Sequence, residues 1–233
     1  MRSEAPKRLF GRRIGHRLSK RQTQLWDELL PRLSIDIACD ADRPLSIAFD
    51  HPVREAWLEI GFGGGEHLAW QALQHPDIGF VGVEPFINGV AKLLSEIEER
   101  QIRNIKIHPG DARDLVPLLA ETSIARAFVL FPDPWPKKRH HKRRLICADF
   151  LEQLGRVMKP EAELRVATDI SDYARTMLLA VARSSYFEWC PSQPSDWRDR
   201  PADWPSTRYE QKALNAGRHC TYFRFRRKAI RAH

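Results

Sequence analysis

Cysteine is scarce in this chain of 233 residues. Its four cysteines, Cys39, Cys147, Cys190 and Cys220, lie too far apart for a disulfide framework. No CxxC pair and no Cys/His ligand spacing occurs, so no metal site is expected, and a reduced, cytoplasmic setting fits. No apolar run approaches the roughly 20 residues that a membrane helix needs, so no membrane partner is expected. The first residues, MRSEAPKRLFGRRIGHRLSKRQ, lack the apolar stretch of a secretory signal. Internal repeats and low-complexity tracts are also missing. What remains is a 27.0 kDa chain with 42% hydrophobic residues, long enough to bury one full core.

Acidic residues are absent or nearly so from particular places. The net charge is +8, but residues 1–21 hold +7, residues 137–144 (KKRHHKRR) hold +6 and residues 218–233 hold +6. The rest of the chain is therefore at −11. Basic clusters on an acidic body are the electrostatic footprint of a nucleic-acid partner. Residues 1–21 read as a basic, mobile arm and residues 22–233 as a single domain. Nothing in the sequence fixes an oligomeric state.

A helix is expected over Gln22–Leu30, ended by Pro31. From residue 56 strands and helices alternate. Strands are expected at 56–60, 79–84, 104–108, 125–131, 163–169, 186–190 and 219–227. Helices are expected at 66–73, 87–100, 112–119, 148–157 and 171–183. The segment 191–205 holds four prolines and reads as loop. This alternation predicts an α/β fold, a mostly parallel twisted sheet with helices on both faces. Ligands of such sheets sit at the carboxyl ends of the strands.

The motif LEIGFGGGEH (58–67) lies at such an end. Gly61, Gly63 and Gly65 permit a tight turn and close ligand approach, spaced GxGxG instead of the dinucleotide GxGxxG. Glu59 precedes the loop, and acids beside it suit an ammonium-bearing ligand better than a pyrophosphate. Glu84 ends the second strand and is placed to accept both hydroxyls of a ribose. Asp111 follows the third strand and is placed to meet an adenine amine. Together these acids make S-adenosylmethionine the leading ligand. For Glu59 the plainer alternative is a charge that caps the turn.

The fourth strand ends in FPDPWPKKRHHKRR (131–144). Here the chain resembles the bacterial tRNA (guanine-N7)-methyltransferases, which carry a PDPW box followed by a basic stretch. RRIGHRLSKRQ (12–22), the EIGFGGG loop, VEP (83–85), GDA (110–112), ATD (167–169) and TRYE (207–210) extend the resemblance over most of the chain. It implies a Rossmann-like class I methyltransferase fold with a C-terminal antiparallel strand and S-adenosyl-L-methionine as methyl donor. It also implies methylation of N7 of the tRNA variable-loop guanine (position 46 of the tRNA). Substrate roles for Lys137, Asp169, Thr207, Arg208, Tyr209 and Glu210 come from the same resemblance.

The residues make chemical sense without it. A Pro-Asp-Pro turn fixes Asp133 beside the donor, where it serves as the candidate catalytic group and as part of the donor site. Trp135 either walls the pocket or stacks on an extruded base, with core packing as the plain alternative. Lys137, Arg139, Lys142, Arg143 and Arg144 are expected to clamp phosphates at its mouth, with His140 and His141 beside them. Glu210 is expected to accept the N1–H and N2–H of guanine; otherwise it is a surface ion pair. A methyltransferase for another RNA base or a small molecule, and a basic RNA-binding module without activity, remain alternatives. An NAD-dependent oxidoreductase conflicts with the glycine spacing.

Overall fold

The computed structural model describes residues 13–35 and 48–229. Two short helices, α1 (Lys20–Glu28) and α2 (Leu30–Leu33), precede the alternating part. There follow β1 (Glu55–Ile60), α3 (Glu66–Gln74), β2 (Ile78–Val83), α4 (Ile87–Arg100), β3 (Ile105–His108) and α5 (Ala112–Leu115). Next come β4 (Ile124–Leu130), α6 (Ala148–Val157), β5 (Met158–Thr168), α7 (Ser171–Ala182) and β6 (Phe187–Trp189). Helices α8 (Ser195–Arg198) and α9 (Arg208–Asn215) and strand β7 (Thr221–Arg227) complete the order.

The sheet runs β3-β2-β1-β4-β5-β7-β6. Strands β1 to β5 are parallel, and β7 pairs antiparallel with both β5 and β6. Strand order reverses between β1 and β4, so the crevice at their carboxyl ends is the place for a ligand. Leu58, Ile60, Val81 and Val83 pack under α5, α6 and α7 on one face. Trp57, Phe80 and Phe128 pack under α1, α3 and α4 on the other. Burial on both faces explains why β1 and β2 read as nearly unbroken apolar runs. Helix α4 presents Val90, Leu93, Leu94 and Ile97, spaced at i, i+3, i+4 and i+7, to this second core.

Several local expectations shift. Helix α1 starts at Lys20 because Ser19 and Gln22 form a reciprocal capping box. Pro31 does not end a helix; it sits in the first turn of α2, where a missing N–H costs nothing. Pro117 turns the end of the 112–119 helix into a 3₁₀ turn over Val116–Leu118. The proline-rich 191–205 contains α8, and α9 forms where no helix is expected.

Residues 1–12 of the expected arm lie outside the described residues. Its remainder is held against α4. Arg13 O accepts from Ile87 N at 2.9 Å. The Asn88 amide joins Gly15 N and His16 O, each at 2.7 Å. Arg21 Nε donates to Glu98 at 3.0 Å. Among the described residues, no helix is long and apolar enough to cross a membrane.

Candidate active site

The loop after β1 is tied to the end of β2. Gly61 N donates to Val83 O at 2.8 Å, and Gly63 N donates to Glu84 Oε2 at 2.7 Å. Phe86 N donates to Glu84 Oε1 at 2.9 Å, so each carboxylate oxygen is aimed by one backbone amide. Gly63 has a φ of 56°, in the left-handed region. A Cβ on Gly89 of α4 would lie 2.2 Å from Gly63 O, so only glycine lets the helix press this close. Burial raises the Glu84 carboxyl above its ordinary range, against the lowering effect of the two amides; Asp133 and Glu59 add to the rise.

A cavity of about 380 Å³ opens beside this loop, a size suited to a small molecule. Ile60, Val83, Leu130, Phe131 and Leu145 supply apolar wall, and Glu84, Asp111 and Asp133 supply three carboxyls. Asp111 caps α5 by accepting from Arg113 N at 2.9 Å, and Arg113 Nη1 lies 3.3 Å from its other oxygen. Arg113 Nη2 reaches on to Arg143 O at 2.8 Å. Arg113 is a wall residue that the sequence motifs do not single out, although it stands two residues after Asp111 in GDAR.

Asp133 stands on the cavity wall between Phe131 (φ 51°) and Trp135 (φ 44°). Two non-glycine residues in left-handed backbone flank it, a conformation that costs about 1–3 kcal/mol each and needs holding from outside. Phe131 N donates to Ala167 O at 2.8 Å, which fixes one end of the turn. Partial desolvation raises the Asp133 carboxyl above its ordinary range. Trp135 also lines the cavity, with the Arg143 guanidinium 5.0 Å from its ring and His140 edge-on at 6.0 Å. Burial, then the surrounding cations, pushes the His140 imidazole below its ordinary range.

The basic run forms a 3₁₀ turn over Lys138–Arg143. Lys137, Lys138, Arg139 and Lys142 are exposed, in the segment between the cavity-lining Trp135 and Arg143. Arg144 corrects the phosphate-clamp reading. It is 2% exposed and donates to Pro134 O (2.9 Å), Thr176 Oγ1 (2.7 Å) and Asp172 Oδ2 (2.5 Å). A guanidinium enclosed in this way does not meet solvent phosphates.

Two further placements differ from expectation. Glu59 is 3% exposed and does not line the cavity; its Oε2 is 2.7 Å from His67 Nδ1. Strand alternation puts it beneath α3 with Trp57, whereas Ile60 faces the cavity. Glu210 is 2% exposed and forms the capping box of α9 with Thr207. Its Oε1 accepts from the Tyr222 hydroxyl and lies 3.2 Å from Arg200 Nε. Glu210 is buried and does not line the cavity, so the guanine-edge reading does not fit this arrangement; of the plainer alternative the arginine partner is present, Arg200, but the carboxylate is not at the surface. Burial and Glu210 together push the Tyr222 hydroxyl upward.

Of the remaining TRYE residues, Thr207 is buried as the helix cap. Arg208 is exposed, 3.9 Å from Glu66, and Tyr209 lines the cavity. Asp169 is bound by Arg218 Nε at 2.6 Å and does not line the cavity. No cluster of three His, Cys, Asp or Glu able to hold a metal occurs among the described residues.

The chemistry of this wall fits an adenosyl sulfonium ligand. Ribose hydroxyls, an adenine amine and an ammonium are all donors, and three carboxyls face them. A pyrophosphate would face repulsion from these three carboxyls.

Comparison with known proteins agrees with the geometry. The family described as "Putative methyltransferase" matches residues 54–223. The tRNA (guanine-N(7)-)-methyltransferase of Ruegeria pomeroyi is 51% identical over 229 residues, covering 96% of each chain. That of Jannaschia sp. is 48% identical over 225 residues, covering 95% of this chain and 94% of the relative. Among solved structures, the 16S rRNA methyltransferase KamB superposes with a TM-score of 0.55 at 12% identity, over 76% of this chain and 89% of that one. An antibiotic-related methyltransferase gives 0.53 at 15% identity, with the same two coverages. The structural neighbours establish a class I methyltransferase fold, and the sequence relatives establish that this chain belongs to the tRNA (guanine-N7)-methyltransferase family.

Proposed function

We propose that this chain methylates N7 of a guanine in tRNA, the variable-loop guanine in particular, with S-adenosylmethionine as donor. It is read as an RNA-binding, cytoplasmic enzyme. One observation carries the reading: a three-carboxyl cavity stands at the β1/β4 reversal, and the exposed cations Lys137, Lys138, Arg139 and Lys142 lie between Trp135 and Arg143, which line it.

Bound S-adenosylmethionine supplies an electrophilic methyl group on a positively charged sulfur. Glu84, pre-aimed by Gly63 and Phe86, is placed to accept the ribose hydroxyls. Asp111 is placed to accept the adenine amine. Trp135 and Tyr209 offer flat faces at the cavity for a splayed base. Lys137, Arg139 and Lys142 hold phosphates and set the register of the RNA. Guanine N7 carries a lone pair and no proton, so no side chain has to act as a base. Asp133 stabilises the positive charge that arrives on the ring, as fixed groups do where charge develops.

The test is methylation of unmodified tRNA transcripts, with the product nucleoside identified by mass spectrometry and its position mapped. 7-Methylguanosine in the variable loop is the expected product. A different methylated nucleoside would favour another RNA base as target, and binding without turnover would leave an RNA-binding module.

A further inference from the structure

We infer that Arg144 is a positioning residue for Asp133, and that it holds the Pro-Asp-Pro turn in its strained form from behind the cavity. The inference rests on the methyl-transfer reading of Asp133. Three observations carry it.

The turn needs an external hold. Phe131 and Trp135 both have left-handed backbone, and neither is glycine. Such residues persist only where the surroundings over-determine them. The Phe131 end is fixed by the sheet through Ala167 O. At the other end, Pro134 O accepts from Arg144 Nε at 2.9 Å.

Arg144 is itself anchored in the scaffold. Its two remaining nitrogens reach Thr176 Oγ1 and Asp172 Oδ2, both on α7. The guanidinium lies 4.8 Å from the Tyr173 ring, and the Tyr173 hydroxyl accepts from Ile146 N at 3.1 Å. Asp172's carboxyl is held below its ordinary range chiefly by the hydrogen bond from Arg144. One planar cation thus joins the carbonyl next to Asp133 to a helix of the core. A lysine has no fork that reaches all three acceptors.

The side chain also sits apart from its neighbours in KKRHHKRR. Lys137, Lys138, Arg139 and Lys142 are exposed, whereas Arg144 is 2% exposed. Its place in a basic run disguises a different task.

The test uses Arg144→Lys, with Thr176→Val as a milder variant that removes one anchor and keeps the guanidinium. Single-turnover methylation is measured at saturating donor and saturating tRNA, well below each variant's melting temperature. Affinities for S-adenosylhomocysteine and tRNA, and the salt dependence of tRNA binding, are measured alongside. Arg144→Lys should lower the single-turnover rate at least about tenfold, and Thr176→Val a few-fold. Both should leave the salt slope unchanged and tRNA affinity within about twofold. A general structural defect would lower the melting temperature and weaken both ligands, with a normal rate once saturated, and that pattern would overturn the proposal. Normal rates in both variants would also overturn it, and if Arg144→Lys does not fold, a normal rate in Thr176→Val suffices. Arg144→Met adds a charge-removing arm: a flattened salt slope with a normal saturated rate would return Arg144 to the phosphates. A wild-type protein with no activity on any tRNA would instead count against the methyl-transfer reading itself.

Discussion

Gly63 N donates to Glu84 Oε2 at 2.7 Å, so the glycine loop after β1 and the acid after β2 form one hydrogen-bonded unit. The amide that shapes the loop also orients the carboxylate that faces the cavity. Removing Glu84 therefore takes away a ligand-binding group and an anchor of the loop together.

Glu84→Ala should weaken S-adenosylhomocysteine binding by roughly 10- to 150-fold. A charge-assisted hydrogen bond of about 1.5–3 kcal/mol corresponds to that range. Glu84→Gln keeps one acceptor and should fall between. Bulk tRNA affinity should hardly move, since phosphates dominate it. Calorimetric titration of both ligands decides the matter; unchanged cofactor affinity in the alanine variant would take Glu84 out of the site.

The exposed cations give a separable effect. Replacing Lys137, Arg139 and Lys142 together by alanine should reduce tRNA affinity across all sequences. On duplex-like regions, the slope of log K against log salt should flatten by up to about 0.9 for each phosphate that is no longer neutralised. Cofactor affinity should stay constant. Binding isotherms at several salt concentrations test this, and parallel losses of both ligands would contradict it.

Glu210 is a stability residue in this arrangement. Glu210→Ala leaves the Thr207 cap of α9 in place but removes its reciprocal half, the bond from Thr207 N, and leaves the buried Tyr222 hydroxyl and Arg200 Nε without this acceptor. Removing a hydrogen bond to a charged group costs about 1.5–3 kcal/mol. For a chain of this size the melting temperature should drop by at least about 3 °C. Thermal denaturation with and without tRNA gives the readout. A normal melting temperature with a selective loss of methylation would restore the guanine-edge role.

The sheet is legible in the sequence because the apolar strand runs and the GxGxG, VEP and GDA motifs all mark strand ends. Helix α9 is less so, although Thr207 and Glu210 spell a capping box, because TRYE reads equally well as a substrate motif. Glu59, Glu210 and Arg144 depart from expectation for one reason. Charge and position along the chain suggest that each faces a ligand, yet each is buried against an internal partner. Spacing locates a residue along the chain. Which side of a strand or a 3₁₀ turn its side chain takes depends on partners elsewhere in the fold, such as His67, Tyr222 and Asp172. Arg113 shows the converse: its link from Asp111 to Arg143 O joins segments that no local pattern connects.

Asp133 is the residue on which the chemistry turns. Guanine N7 needs no deprotonation, so the group that matters is a fixed negative charge near the base. Asp133→Asn keeps the size of the side chain and removes that charge. It should retain the fold and much of the tRNA affinity, while single-turnover methylation falls roughly 10²-fold, the scale of removing one preorganised electrostatic group. The pH dependence has a definite sign. Desolvation raises the folded-state pKa of Asp133, so its carboxylate is lost on acidification at a higher pH than for an ordinary aspartate. The rate should fall through that raised pKa as pH drops. Stability should not fall with it through this group, because a carboxyl raised in the folded state contributes stability below its unfolded pKa and loses it as pH rises. Wild type should therefore slow on acidification before it unfolds, and Asp133→Asn should lack that limb. Neither His140→Ala nor His141→Ala should remove it. Rates and melting temperatures collected over the same pH series test all of this at once. A near-normal rate in Asp133→Asn would move the chemistry elsewhere, and a limb that disappears with either histidine would expose a base where none is expected.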